Sequence, residues 1–190
     1  MKKILLAVLL VMFGCGLVLA EGAAAPKKEE AKGGDKAKKV VLVNFAKGDQ
    51  FNNVNGEQSL SEEHLTGKEK MRMKMVASAG GINGLSKNVD WTPFNYVVFN
   101  VFLAEDKPVK LGVLIGDKES YAKWSRNYVE ANTTLKPGEN KDVHINIEGL
   151  YCSYASRPLD MKNMQVLQFF TGDAKHEYYF GNLYLVNEEE

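Results

Sequence analysis

Three large side chains suited to binding a sugar occupy alternate positions near the middle of the chain. They are Trp124, Arg126 and Tyr128, and Tyr121 precedes them. Residues two apart in a β-strand share a face and lie about 6.5 to 7 Å apart along it. A strand over 122–131 would therefore align an indole, a guanidinium and a phenol. Such a platform can stack on the apolar face of a pyranose and hydrogen-bond its hydroxyls.

The same residues also fit ordinary packing between two sheets. A tryptophan and a tyrosine on one strand face commonly belong to a core, with an arginine at its edge. Both interpretations of Tyr121, Trp124, Arg126 and Tyr128 stay open at this point, ligand contact and core packing. The other tryptophan, Trp91, lies beside a turn, which favours packing there.

Other site chemistries have no pattern to support them. His64, His144 and His176 are far apart, and none has a second metal ligand at short spacing, so we expect no zinc site. No nucleophile elbow, phosphate loop or dinucleotide-binding glycine pattern occurs. We therefore expect a protein that is not an enzyme and that has no cofactor.

The charge balance excludes one class of partner. The chain has 24 Lys and Arg against 24 Asp and Glu. Proteins that bind nucleic acids by neutralising phosphates carry a clustered excess of basic residues, which the folded part of this sequence lacks. We expect no nucleic-acid partner.

Residues 1–20 have the pattern of a signal peptide. Lys2 and Lys3 precede an apolar run that ends at Leu19, and Ala20 is a suitable cleavage position. The run is short for the roughly 20 residues that cross a bilayer, so we favour cleavage over an uncleaved anchor. The protein would then be secreted or periplasmic, with a net charge near −2 from the loss of two lysines.

Lipid attachment is a second route to the membrane. Gly14-Cys15 resembles the acylation site of a bacterial lipoprotein. Met12 and Phe13 depart from that pattern, and the apolar run continues past the cysteine. We favour the soluble exported form, in which the membrane is reached only through an uncleaved or lipidated N-terminus.

The rest of the chain divides into three parts. Residues 21–39 contain six lysines and four acids but no aromatic residue, Leu, Ile or Val, which predicts a flexible linker. Residues 40–187 carry the apolar side chains of one domain, and residues 188–190 form an acidic tail. Only Cys152 remains after cleavage, so no intramolecular disulfide can form, and we expect this thiol to be buried.

The domain has the texture of an all-β protein. Short runs rich in β-branched and aromatic residues predict about eight strands, and useful helical periodicity is absent. Met71, Met73 and Met75 alternate with Lys70, Arg72 and Lys74, which predicts one buried and one solvent face. Glycines and prolines predict turns at Gly80-Gly81, 136–138 and 171–173. The predicted strands are 40–45, 70–77, 96–103, 109–116, 122–131, 141–147, 165–170 and 178–186.

The order of several segments resembles the galactose-binding-like jelly rolls that occur as carbohydrate-binding modules beside glycoside hydrolases. The matching segments are Leu65-Thr66-Gly67-Lys68, Asp90-Trp91-Thr92-Pro93-Phe94 with the strand after it, residues 135–140, residues 167–172 and residues 179–185. The resemblance covers nearly the whole domain. It implies an antiparallel jelly-roll β-sandwich that binds a polysaccharide or other glycan. The alternative is a structural module that binds a protein partner in the cell envelope.

Members of this group often hold a structural calcium ion, and here the sequence departs from their pattern. Asn44 and Ala46 stand where the resemblance implies an Asp and a Glu, and Gly181 replaces the last Asp. Calcium prefers six to eight oxygen ligands, several of them carboxylates. We expect this site to be lost or weak.

Overall fold

The fold is built almost entirely from antiparallel strands. The structure is a computed structural model, which describes residues 38–85, 89–123 and 127–188. The predicted signal peptide and most of the linker lie outside these residues. The elements are β1 (Lys39–Val43), a 3-10 turn (Phe45–Lys47), β2 (Asn53–Ser61), β3 (Arg72–Asn83), β4 (Tyr96–Leu103), β5 (Val109–Asp117), α1 (Lys118–Ala122), β6 (Val129–Leu135), β7 (Gly138–Asn146), β8 (Tyr151–Cys152), β9 (Arg157–Pro158), β10 (Met164–Phe170) and β11 (His176–Val186).

Nine of the described strands form one continuous sheet. Its order is β6-β5-β10-β3-β11-β4-β7, with β1 added to β11 and β2 added to β3, and every pair is antiparallel. The long strand β3 joins the two halves, because it pairs with β11 through its first residues and with β10 through its last. The all-β, antiparallel prediction is confirmed.

The sheet folds back into two layers around one core. The rings of Phe99 in β4 and Phe169 in β10 have centroids 5.1 Å apart, although β11 and β3 separate these strands in the sheet. The ring of Phe180 in β11 is 4.9 Å from that of Phe169. Side chains of the two inner faces therefore interdigitate, as in a β-sandwich.

The methionine alternation is confirmed, with one correction. Met73 and Met75 are buried in the core, and Lys74 lies on the other face of β3. Arg72 shares that outer face but is fully buried, not exposed as predicted. The connection between β2 and β3 and the start of β7 cover Arg72. Its guanidinium donates to Glu69 in that connection and to Glu139 in β7.

The predicted turn at Gly80-Gly81 is wrong, because both residues lie inside β3. A Cβ on Gly81 would be 2.3 Å from the carbonyl oxygen of Leu167, so this glycine permits close approach of the backbones. Gly172, between β10 and β11, does have the positive φ of a turn, 76°.

Two packing predictions are confirmed, and several short or polar elements were missed, among them β2, α1 and the β8–β9 hairpin. Trp91 is 1% exposed and Cys152 is fully buried. Strand β2 escaped notice because Asn53–Ser61 is largely polar and lies at an edge. Helix α1 was missed because five residues are too short to show helical periodicity.

Candidate functional site

The outer face of one layer carries four amide side chains close together. Leu167 and Phe169 of β10 point into the core, so Gln168 and Phe170 point outward. Residues directly opposite each other in an antiparallel pair share a face. The strand register therefore identifies their neighbours on β2, β3, β5 and β6.

We call this surface the amide face. It crosses five strands, a width of about 19 Å at a strand spacing of about 4.8 Å. Two adjacent rows define it. The first row is Asn55, Ala79, Phe170, Gly112 and Asn132, and the second is Asn53, Gly81, Gln168, Leu114 and Glu130.

Small residues in β3 and β5 leave room for larger side chains to lie flat at the centre of the amide face. The ring of Phe170 covers Gly112, where a Cβ would lie 2.2 Å from the ring atom Cζ. Phe170 and Leu114 are half-buried, whereas Asn53, Asn55 and Asn132 are exposed. The face therefore combines an apolar centre with amide groups at its edges. These complement the apolar ring face and the hydroxyl groups of a pyranose.

Helix α1 closes one end of the amide face. Ser120 packs over Gly116, where a Cβ would lie 2.6 Å from Ser120 Cβ. Tyr121 extends to the end of β3, and its Oη lies 3.9 Å from the Cβ position of Gly84. The phenol is 52% exposed. It therefore forms an aromatic wall at this end of the amide face, next to the row of Asn83, Val166 and Gly116.

The buried carboxylate of Asp117 fixes this wall. Asp117 is the N-cap of α1 and forms a capping box with Ser120. It also accepts hydrogen bonds from Arg157 Nη2 at 2.8 Å and from the backbone N–H of Asp160 at 2.8 Å. Arg157 in turn donates to Asn127 Oδ1, at 2.9 Å from Nη2. One ion pair thus ties the start of α1 to the chain that leads into β6.

Burial by itself would raise the pKa of Asp117. The hydrogen bonds from Arg157, Asp160 and Ser120 outweigh that effect, and they hold the pKa well below its ordinary value. The group is therefore ionised at every pH at which the protein is expected to work.

The sequence-predicted site residues fall in three situations. Tyr121 lies in α1 and is exposed beside the amide face. Tyr128 is half-buried and immediately precedes β6. Trp124 and Arg126 lie outside the described residues. The strand predicted over 122–131 is wrong in its first half, because α1 ends at Ala122 and β6 begins at Val129.

That correction removes the argument from in-line spacing but leaves the assignment of the four residues as a prediction. The main residues that sequence reasoning missed are Gln168, Phe170 and the asparagines of β2 and β6. One signal was available: Gln168 is a polar residue between the apolar pairs Val166-Leu167 and Phe169-Phe170 of β10. Its neighbours could not be found, because register alone brings them together.

The segment that would hold calcium in related modules is filled by internal hydrogen bonds. The backbone N–H of Asn44 donates to Asp49 at 2.8 Å, and that of Phe45 donates to Asn182 Oδ1 at 2.9 Å. A Cβ on Gly181 would lie 2.2 Å from Glu69 Oε1. Asp49 is the only carboxylate among the side chains that accept these two N–H groups, which is fewer carboxylates than calcium prefers. Within 38–85, 89–123 and 127–188 no group of three His, Cys, Asp or Glu side chains could hold a metal.

Solved structures with a similar fold include carbohydrate-binding modules. The solution structure of the family 11 module CtCBM11 has a TM-score of 0.56 at 14% identity and covers 80% of this chain and 96% of its own. The Clostridium thermocellum family 11 module in complex with a β-1,3-1,4-mixed-linked tetrasaccharide has a TM-score of 0.50 at 12% identity, with 85% and 95% covered. An agarase, AgWH50C, has a TM-score of 0.50 at 11% identity, over 74% of this chain and 24% of its own.

No protein-family model and no curated protein matches the chain. The structural likeness nevertheless confirms the expected architecture, since these neighbours have the galactose-binding-like jelly-roll fold. The chain therefore has the antiparallel jelly-roll β-sandwich fold of these modules. In the described part of the chain, no helix has the length and apolar character needed to cross a membrane.

Proposed function

We propose that the protein is an exported, non-catalytic glycan-binding protein and that the amide face is its binding surface. Tyr121 and Phe170 supply the aromatic surface. The exposed asparagines Asn53, Asn55 and Asn132 hydrogen-bond sugar hydroxyls, and Gln168, which is 8% exposed, lies in the floor between them. Trp124, Arg126 and Tyr128, in the segment between α1 and β6, remain predicted ligand contacts.

The observation that carries this proposal is the exposed phenol of Tyr121 at the end of an amide-rich face. A carbohydrate presents an apolar ring face bordered by hydroxyls, so it is recognised by an aromatic side chain with donors and acceptors beside it. The amide face provides both within about 19 Å, the width of five strands. That a structural neighbour was solved with a bound tetrasaccharide supports the same class of ligand.

The composition of the face supports a binding role over hydrolysis. Glycoside hydrolysis uses two carboxyl groups about 5 to 9.5 Å apart. Among the described residues of the two rows, the only carboxylate is Glu130. The rows hold amides, glycines and apolar side chains in place of an acid and base pair.

The distribution of exposed apolar groups favours a glycan over a protein partner in the envelope. A protein-binding module presents a contiguous apolar patch of several hundred Å². The exposed apolar side chains here belong to separate elements, and the one beside an amide-rich surface is an aromatic ring. They are Val41, Leu60, Leu65, Tyr121, Tyr151 and Tyr154.

The test compares Tyr121→Ala with Tyr151→Ala in the purified protein. The two tyrosines are matched in exposure, at 52% and 53%, but Tyr151 lies in the β8–β9 hairpin. A glycan array that includes mixed-linkage glucan oligosaccharides identifies a ligand, and calorimetry then measures its affinity. We expect Tyr121→Ala to weaken binding by about tenfold or more, since one aromatic contact contributes about 0.5 to 1.5 kcal/mol beyond its buried area.

Tyr151→Ala should bind like the unmodified protein, and both variants should melt within a few degrees of it. Trp124→Ala, measured in parallel, tests the predicted contact of Trp124 with the glycan. A protein that binds no glycan on the array would refute the proposed function. Equal affinity for Tyr121→Ala and Tyr151→Ala would refute the choice of the amide face.

A further inference from the structure

A cavity of about 360 Å³ lies on the layer of the sandwich opposite the amide face. Val97 and Phe99 of β4 point into the core, so Val98 and Asn100 line the cavity floor from the outer face. The connection 66–69 forms one wall. The two binding surfaces therefore lie on opposite faces of the domain.

Three lysines line this cavity, and we call it the lysine pocket. They are Lys39, Lys68 and Lys141, contributed by β1, the β2–β3 connection and β7. The ammonium group of Lys39 lies 3.7 Å from the centroid of the Tyr184 ring. Within the part of the chain that the structure describes, none of the three forms an ion pair with a carboxylate. Their charge is therefore available to a ligand.

One of the two carboxylates in the pocket wall is already neutralised. Glu69 accepts hydrogen bonds from Arg72 Nη2 at 2.6 Å and Nε at 2.9 Å, and from the hydroxyl and N–H of Thr66. Burial would raise the pKa of Glu69, but the Arg72 and Thr66 hydrogen bonds lower it below its ordinary value. The three lysines thus face a single carboxylate without such a partner, that of Asp142.

The floor of the pocket is held in place by hydrogen bonds. Asn100 Oδ1 accepts from the N–H of Asp142 at 2.9 Å, and Asn100 Nδ2 donates to Glu69 Oε1 at 3.2 Å. Asp142 itself has a φ of 48°, in the left-handed region. These contacts fix the backbone that presents the Asp142 carboxylate at the rim.

We propose that the lysine pocket binds an acidic sugar residue, with its carboxylate at the lysines and its hydroxyls at Asp142. The volume suits a small organic ligand rather than a single inorganic ion. The mixed charge points the same way. A uronate has one carboxylate for the ammonium groups and several hydroxyl donors for an acceptor carboxylate, whereas an inorganic oxyanion has few or none to offer Asp142.

The test uses trigalacturonate as the probe and calorimetry on the whole protein at low and at physiological salt. Lys68→Gln with Lys141→Gln removes two of the three charges. Lys107→Gln with Lys175→Gln is the matched control, since both of these lysines are exposed and lie outside the pocket. We expect the pocket variant to weaken the Kd by about tenfold and the control by less than about twofold.

Asp142→Asn gives a prediction of opposite sign. It removes the repulsion between Asp142 and the ligand carboxylate but keeps a side-chain oxygen that accepts from a sugar hydroxyl, and asparagine tolerates a positive φ. The Kd for trigalacturonate should therefore tighten by a fewfold, with a greater change at low salt. The neutral galactose trisaccharide should bind no better to this variant than to the unmodified protein.

Several outcomes would overturn the inference. They are no binding of trigalacturonate, an equal loss in the pocket and control variants, or inorganic phosphate that binds as tightly as trigalacturonate. Loss of trigalacturonate binding in Tyr121→Ala would assign the acidic sugar to the amide face and would also overturn it. Retention in Tyr121→Ala supports the lysine pocket whether or not the amide face binds a neutral glycan, so failures of the two proposals are distinguishable.

Discussion

Asp117→Asn is the most informative single perturbation, because Asp117 joins three parts of the candidate site. The carboxylate is 1% exposed. It accepts from Arg157, from the backbone of Asp160 and from Ser120. Asparagine preserves the shape but removes the charge and puts an amide donor where only acceptors are used.

The magnitude follows from the burial of the pair. Breaking a buried ion pair by changing one partner costs about 3 to 5 kcal/mol. The Arg157 side chain is 20% exposed, so water can rehydrate part of the guanidinium in the variant. We therefore expect the lower end, a loss of about 3 kcal/mol in the free energy of unfolding at pH 7.

The pH dependence gives a second, independent number. Because the folded-state pKa of Asp117 is depressed, its contribution is complete above the unfolded pKa of about 3.9 and is lost as pH falls below it. At pH 3 the unfolded chain is mostly protonated at this position, which removes about 1.3 kcal/mol of the contribution. The difference between Asp117→Asn and the unmodified protein should therefore shrink from about 3 to about 1.7 kcal/mol.

Urea unfolding measures both values, with the fluorescence of the buried Trp91 as the signal. A loss of 3 kcal/mol corresponds to a midpoint shift of about 1.5 M for a slope near 2 kcal/mol/M. Asp106→Asn, the same change at an exposed carboxylate, should stay within about 0.5 kcal/mol. A cost under about 1 kcal/mol at pH 7, or an equal cost at pH 3 and pH 7, would refute the reasoning.

Two further stability predictions concern buried contacts. Arg72→Met leaves the carboxylates of Glu69 and Glu139 without their shared partner, so we expect a loss of about 3 kcal/mol or more at pH 7 in urea unfolding. Against the effect of burial, Arg72 holds the pKa of Glu69 below its ordinary value, so the loss should become smaller as pH falls and Glu69 protonates, and a loss that grows on acidification would contradict the assignment. Gly112→Ala puts a methyl group against the Phe170 ring and should lower stability by about 1 to 3 kcal/mol. Phe170→Leu in the same chain should recover part of that loss, and an additive loss would contradict the proposed clash.

Much of the fold could be predicted from short-range patterns. The predicted bounds of β4, 96–103, agree with the structure at both ends, because alternate residues there are deeply buried. Prediction failed where the sequence lacks that contrast. The β2 segment is polar on both faces, and the Gly80-Gly81 pair looks like a turn although its close approach to β10 requires glycine inside a strand.

The candidate site was predicted only in part, for a physical reason. Tyr121 was named because its residue type suits sugar contact, and the structure leaves it exposed beside the amide face; its role in binding stays a prediction. Its setting was wrong, because the five-residue helix that Asp117 caps through Ser120 is too short to show periodicity. The pairing of Asp117 with Arg157, forty residues further along, is not visible in the local sequence. Burial of that ion pair is a property of the folded chain.

The sequence by itself determined the all-β class, the alternation that builds the core and the chemical types available for a ligand. These depend on the period of two in a strand and on side-chain chemistry, both of which are local. Only the tertiary structure decided which residues share a surface. Asn55, Gln168 and Asn132 lie on one face because strands distant in sequence pair in a particular register, and Lys39, Lys68 and Lys141 line one pocket for the same reason.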